Sequence, residues 1–187
     1  MKLLDRLLQR WRFARAAPFV PPGSRLLDIG CHDGTVFRRL ASRLSAGVGI
    51  DPLAVPTSDP GAPFQIVRGA FPNDLPTSTA FDVVTCLAVL EHVPVAGQPA
   101  FVDACAARLK PGGVLIVTVP APAVEGILRW LVRLRLVEGM SLEQHHGFAP
   151  ADTVQLAIAA GLQLVTHRRF QLALNNLFVF RRPLPPS

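Results

Sequence analysis

LLDIGCHDGTVFRRL (26–40) runs a short apolar strand into a glycine-bearing turn and then into a helix. Gly30 and Gly34 allow the chain to turn sharply and to approach a ligand with no Cβ in the way. The start of the helix turns its first N–H groups toward the same place. The pattern is DxGxxxG, with Asp28 ahead of the first glycine, and not the GxGxxG of nicotinamide-binding turns. An acid beside the turn repels a pyrophosphate and suits an ammonium group, so the turn points to an amino-acid-bearing nucleoside. About 20 residues on, Asp51 ends the next apolar stretch, where a carboxylate can accept from both hydroxyls of a ribose.

Working outward, strands and helices alternate. RLLDI (25–29), GVGID (47–51), FQIVRG (64–69), FDVVTCL (81–87) and VLIVTV (114–119) read as strands. Helices are expected over about 34–45, from Gly97 to Leu109, over 123–137, and from Pro150 to Gly161, with LKPGG (109–113) as a stop and turn. Val/Ile/Leu-rich strands separated by helices indicate a parallel sheet buried on both faces. LQLVTHRRF (162–170) and ALNNLFVFRR (173–182) follow each other too closely for a parallel crossover, so an antiparallel hairpin closes the sheet. The expected fold is α/β, doubly wound and Rossmann-like, with seven strands and an added N-terminal helix. Residues 1–20 form that helix and a Pro/Gly linker, and 21–187 form the domain.

The chain has 187 residues, of which 50% are hydrophobic and 17% charged, which excludes a disordered chain. Its apolar runs fall short of the ~20 residues of a membrane span. Asp5, Arg6 and Arg10 interrupt the N-terminal leucines, so that segment is not read as a signal peptide. Cys31, Cys86 and Cys105 without a CxxC suit reduced thiols and a cytoplasmic setting. The net charge is +6, and residues 1–25 hold six basic residues against one acid. The basic runs are not expected to be interleaved with exposed aromatics, so a nucleic-acid module gains no further support. The excess reads as a solvated surface or as an attractor for an anionic partner such as a membrane surface.

At these residues the chain resembles class I S-adenosylmethionine-dependent methyltransferases of the small-molecule branch. Their first motif is (Asp/Glu)xGxGxG, and Asp28, Gly30, His32 and Gly34 match three of its four marked positions. The resemblance continues through GID (49–51), FDVVTCLAVLEHV (81–93), LKPGGVLIVTVP (109–120) and NNLFVFRRP (175–183). It implies S-adenosylmethionine as cofactor and methyl transfer to a small-molecule acceptor, with a non-catalytic cofactor-binding relative as the alternative. It places Asp28 and Gly30, with Cys31, His32 and Gly34 of the same loop, at the methionine end of the cofactor. Asp51 would hold the ribose, Pro52 and Leu53 one side of the adenine, and Ala70 and Phe71 the other. Leu87 would border the methyl-transfer site. His32 stands where the family prefers glycine, and Ala70 where many relatives carry an adenine-binding Asp, a place Asn73–Asp74 could fill.

The resemblance also implies that His92, in LEHV, and His145 and His146, in HHGFAP (145–150), lie at the substrate side, which makes them the candidate catalytic residues, since an imidazole can take a hydroxyl proton near neutrality. His92 reads equally as a packed loop residue. The adjacent His145 and His146 lack the carboxylate or Cys partners of a metal site, and none is expected. Cys31 and Cys86 read as small hydrophobes rather than nucleophiles. The N-terminal helix and the very apolar 123–137 are expected to cover the acceptor pocket, to face a membrane, or to pack structurally.

Overall fold

A computed structural model describes residues 3–57, 63–75, 79–121 and 150–185. Helix α1 spans Leu3–Ala16 and β1 spans Ser24–Ile29. They are followed by α2 (Thr35–Leu40), β2 (Leu44–Asp51), β3 (Phe64–Arg68) and β4 (Phe81–Leu87). Then come α3 (Gln98–Ala107), β5 (Leu109–Pro120), α4 (Pro150–Ala159), β6 (Gln163–Phe170) and β7 (Asn175–Arg181). The seven strands lie in the order β3-β2-β1-β4-β5-β7-β6, and the order in which strands are added switches sides between β1 and β4, near the centre of the sheet. Pairing is parallel throughout β3 to β5, and β7 runs antiparallel to both β5 and β6. The Rossmann-like expectation and its closing hairpin therefore hold.

Alternation along the central strands divides the core into two halves. Leu27, Ile29, Val84, Leu115, Val117, Phe178 and Phe180 belong to the half that includes Phe101 and Val102 of α3 and Ala157 of α4. Leu26, Val83, Ile116, Leu177 and Val179 belong to the half that includes Phe13 and Ala16 of α1 and Val36, Phe37 and Leu40 of α2. Both faces of the parallel strands are thus covered, as continuous apolar strands require.

The main departures from the sequence reading lie at the end of α2 and the starts of β2 and β5. The helix after the glycine loop ends at Leu40, a 3-10 turn follows over Ala41–Arg43, and β2 begins at Leu44, three residues early. Arg43 Nη1 donates to the Val20 carbonyl at 3.1 Å, which fixes that turn against the linker. LKPGG is not a separate turn but lies within β5. Strand β5 absorbs it through an irregularity in its pairing with β4 between Phe81 and Val83. The segment 123–137 lies outside the described residues, so its helix and its covering role do too.

Candidate active site

The ends of β1, β2 and β4 converge where the strand order reverses, the place where open α/β sheets bind ligands. Gly30 and Gly34 both adopt left-handed φ, at 77° and 70°. A Cβ on Gly30 would strike Val89, and one on Gly34 would strike Ile66, so the loop is closed down against protein as well as turned. His32 also has positive φ, at 46°, and its side chain is exposed. It keeps the backbone geometry a glycine would have there and sends its ring outward.

The loop's N–H groups are engaged within the protein. Gly30 N–H donates to the Ile50 carbonyl at 2.9 Å, and Cys31 N–H to the same oxygen at 3.4 Å. Gly34 N–H donates to the Cys31 carbonyl at 2.8 Å, and Thr35 N–H to Asp33 Oδ1 at 3.0 Å. His32 N–H donates to Asp51 Oδ2 at 3.0 Å, while Asp51 Oδ1 accepts from Leu53 N–H at 2.7 Å. Five donors of the turn, on Gly30, Cys31, His32, Gly34 and Thr35, have protein acceptors, so the helix start offers fewer N–H groups to a ligand than the sequence leads one to expect. An anion would find little to bind, and Asp51, held only by N–H donors, makes the place electronegative, while Asp33 is paired with Arg38 at 3.0 Å. The donor set fits a cationic, ribose-bearing ligand such as S-adenosylmethionine and does not fit a pyrophosphate.

Asp51 is the half-exposed acid that ties the glycine loop to the turn after β2. The next residues, Pro52 and Leu53, are exposed, Leu53 at 78%, and offer apolar surface beside the carboxylate. Across the cleft Ala70 is exposed, and its N–H donates to Asp74 Oδ2 at 2.8 Å. Asp74 thus sits directly beside Ala70. Phe71 is turned partly inward, edge-on to Phe101 with ring centroids 5.4 Å apart.

Asp28 is drawn inward. It is 4% exposed, and its Oδ1 accepts from Thr85 Oγ1 at 2.6 Å across the β1–β4 pair. Burial, reinforced by the charge of Asp51 and opposed by the Thr85 hydrogen bond, pushes its pKa up to about 7. Any effect of Asp28 on a ligand's ammonium passes through this buried position and not through an exposed ion pair. Cys31 is buried, with its thiol pushed up to about 12 by burial and by Asp28 and Asp51. Burial likewise raises Cys86, so both stay protonated small side chains.

Leu87, half-buried, ends β4. Ala88 follows with φ 61° and donates its N–H to the Thr118 carbonyl at 3.0 Å. The chain then enters a 3-10 turn over Leu90–His92. His92 is exposed there and Glu91 is not. Glu91 is 3% exposed, and its Oε2 is buried without a hydrogen-bond donor. Burial lifts its pKa to about 7, against the opposing charge of Arg12 in α1. The strained Ala88 escaped the sequence reading, and Glu91, which the sequence leaves between a cofactor-pocket rim and the surface, is buried instead, because neither residue type announces a left-handed backbone or a buried acid. His145 and His146 lie outside the described residues. Among the described residues no three His, Cys, Asp or Glu side chains gather as a metal site would need.

A cavity of about 690 Å³ lies near the ends of β5, β7 and β6, lined by Ala121, Val154, His167, Arg169, Leu172 and Asn176 among others. His167 stacks on Phe178 at 4.3 Å between centroids, and its Nε2 lies 2.9 Å from Asn176 Oδ1. These residues were visible in sequence only as part of a basic strand. Their i, i+2 spacing on β6 is the signal that His167 and Arg169 share one face. A second cavity, of about 650 Å³, sits at the opposite ends of the strands around Asp82 and Lys110, which pair with each other at 2.8 Å.

A sheet of order 3-2-1-4-5-7-6 with an acid at the ends of both β1 and β2 defines the Rossmann-like fold of class I methyltransferases. The chain belongs to the family described as a methyltransferase domain, which matches residues 2–167. It is 33% identical over 160 residues to the ubiquinone biosynthesis O-methyltransferase of Rhodopseudomonas palustris, covering 71% of this chain and 60% of that protein. The chain thus spans about three fifths of that curated relative's length. Among solved structures it shares its fold with the putative methyltransferase complexed with the Trm112 activator of Haloferax volcanii. That match has a TM-score of 0.71 at 18% identity over 94% of this chain and 91% of the other. The N-methyltransferase NodS of Bradyrhizobium japonicum, solved with S-adenosyl-L-homocysteine, matches with a TM-score of 0.66. Identity there is 18%, over 94% of this chain and 86% of NodS. No helix among the described residues is long and apolar enough to cross a membrane.

Proposed function

We propose that the chain binds S-adenosylmethionine at the β1–β2 end of the sheet and moves its methyl group to a hydroxyl of a small, partly apolar acceptor. The observation that carries this reading is the loop whose N–H groups are internally bonded and whose His32 N–H is held by the Asp51 carboxylate. Such a site rejects phosphates and favours a cation with a ribose. Family membership supports methyl transfer, and the O-methyltransferase name of the relative supports a hydroxyl acceptor.

When bound, the cofactor supplies an electrophilic methyl group on a positively charged sulfur. The chain's own part is orientation and protection. Asp51, already fixed by two backbone donors, presents its remaining lone pairs to the ribose hydroxyls. Leu53 and Pro52 pack one face of the base, and Asp74 accepts on the other side. Gly30 and Leu87 border the methyl group. In-line displacement needs positioning above all, so the cavity beside His167 and Asn176 serves to aim the acceptor. His92, exposed after β4, takes the hydroxyl proton, with His145 and His146 as the other candidates.

The test is calorimetry with S-adenosylhomocysteine and with NAD, followed by transfer of labelled methyl to phenols and catechols. Binding of S-adenosylhomocysteine alone and labelled product support the reading. Tight binding without any product would assign the chain to cofactor binding without catalysis, and binding of NAD alone would overturn the site assignment.

A further inference from the structure

Helix α1 is apolar on both sides. Its inner side carries Phe13 and Ala16, both buried. Its outer side carries Leu7 and Trp11, one turn apart and 51% and 49% exposed, with exposed Ala14 continuing the line. Exposed Arg10 and Arg15 stand on the two flanks of that stripe. A helix whose outer side faces only water has its charges at the centre of that side, and here they are at the margins.

A second apolar point stands beside it. Leu172 is 91% exposed at the tip of the β6–β7 turn, where Gln171, Leu172 and Ala173 take φ of 53°, 57° and 65°. Three successive L residues in the left-handed region are held there against their preference. Gln171 Nε2 donates to the Leu8 carbonyl of α1 at 3.0 Å, so the turn is fastened to the helix.

The charge around both features is mostly positive, with Asp5 of α1, Asp152 of α4 and the buried Glu91 against Arg12 as the acids. Residues 6–27 contain five arginines and no acid, and residues 153–187 contain four arginines and no acid. The two stretches meet, since the Arg168 guanidinium lies 5.3 Å from the centre of the Phe19 ring just beyond α1.

We infer that this face docks on the surface of an anionic lipid bilayer. Leu7, Trp11 and Leu172 enter the boundary between headgroups and acyl chains, and Arg10 and Arg15 meet lipid phosphates. Separate apolar points flanked by arginines fit a fluid surface better than a single close-packed protein partner. The inference does not depend on methyl transfer. Where that reading holds, the face brings the 690 Å³ cavity, which Leu172 also lines, next to a source of apolar acceptor.

The test uses the full chain and vesicles of phosphatidylcholine, alone or mixed with equal phosphatidylglycerol. Trp130→Phe leaves Trp11 as the single indole of the two in the chain. The expected result is co-sedimentation with the phosphatidylglycerol vesicles only, a shift of Trp11 emission to shorter wavelength, and loss of both as salt rises. Arg10→Gln with Arg15→Gln should weaken binding by about thirtyfold, from the attraction lost per arginine. Trp11→Ser and Leu172→Ser should each weaken it further while thermal unfolding shows the fold retained. Failure to sediment, equal binding to both vesicles, or bound protein with unshifted Trp11 emission would each overturn the inference. So would a dimer, seen by sedimentation velocity without lipid, that Trp11→Ser dissolves, since it would give the face to a second copy.

Discussion

The β1–β2 region near the centre of the sheet and the β6 end are built on opposite rules. In β1 all residues but Arg25 are buried and in β2 Gly47–Ile50 are, and the acids Asp28 and Asp51 are held by Thr85 and by two backbone N–H groups. At β6 every residue but Thr166 and Phe170 is exposed, and arginine and histidine replace the acids. Positive φ occurs in both regions, but in different company. In the glycine loop the neighbours Val89 and Ile66 leave no room for a Cβ, whereas Leu172 projects into open solvent. Closed packing with satisfied donors fixes where one ligand sits. An open basic edge leaves a surface free for contact. The difference predicts that perturbations in the first region register in stability and ligand affinity together, and in the second in contact alone.

The largest expected effect is the pH dependence of stability. Asp28 and Glu91 hold their protons to about pH 7 in the folded chain and lose them near pH 4 when unfolded. The native state therefore binds more protons across that window, so stability is fully present below pH 4, declines as pH rises toward 7 and levels off above it. A fall on the order of a few kcal/mol follows, at ~1.4 kcal/mol per pKa unit for each group. Urea unfolding at pH 4.5, 6 and 8 measures it, and Asp28→Asn and Glu91→Gln should each flatten the curve. A curve that rises over this range would contradict the buried, protonated state of both acids.

Next in size is Gly30→Ala. A left-handed alanine with its Cβ driven into Val89 should cost about 3 kcal/mol. Unfolding by denaturant checks this, with Leu172→Ala as the contrast, which should stay within ~0.5 kcal/mol because that side chain touches mainly solvent. Asp51→Ala follows. It removes the acceptor of the His32 and Leu53 N–H groups, and S-adenosylhomocysteine affinity should fall by roughly 1.5–3 kcal/mol in calorimetry. Because the carboxylate also ties the loop to β2, stability should fall by about 1 kcal/mol as well. Unchanged affinity would remove Asp51 from the site.

The two regions also differ in how far the amino-acid sequence reveals them. Asp28, Gly30, Gly34 and Asp51 could be placed from spacing, because a strand, an acid and a glycine turn constrain one another within a few residues. The parallel sheet and the final hairpin were legible for the same reason, since apolar runs and short connections are local properties. The inward turn of Asp28 was not, because it depends on Thr85, 57 residues away, lying opposite it across the sheet. Nor was the cavity beside His167 and Asn176, whose walls come from β5, β6, β7 and α4 and meet only after the antiparallel strand is in place. The early start of β2 depended on the linker, through Arg43 and Val20. Local pattern reads the chemistry of a loop, and long-range register decides what faces it.

The smallest expected effect compares the same backbone strain in both regions. His32 and Leu172 adopt φ of 46° and 57°, where an L residue is disfavoured by ~1–2 kcal/mol. Glycine removes that penalty but adds freedom to the unfolded chain worth ~0.4–1 kcal/mol. His32→Gly and Leu172→Gly should therefore each stabilise by about 0.5–1 kcal/mol in denaturant unfolding. Ligand affinity separates them. His32 N–H donates to Asp51, and a glycine keeps that donor while loosening the loop around it, so S-adenosylhomocysteine binding should change by no more than a few-fold. Leu172→Gly lies in the other region and should leave that affinity unchanged. A large loss on His32→Gly would give the exposed imidazole a direct part in binding, and a comparable loss on Leu172→Gly would show that the two regions are not independent. If neither substitution stabilises, other contacts in these turns offset the strain, and the match between the two sites is one of geometry without energetic consequence.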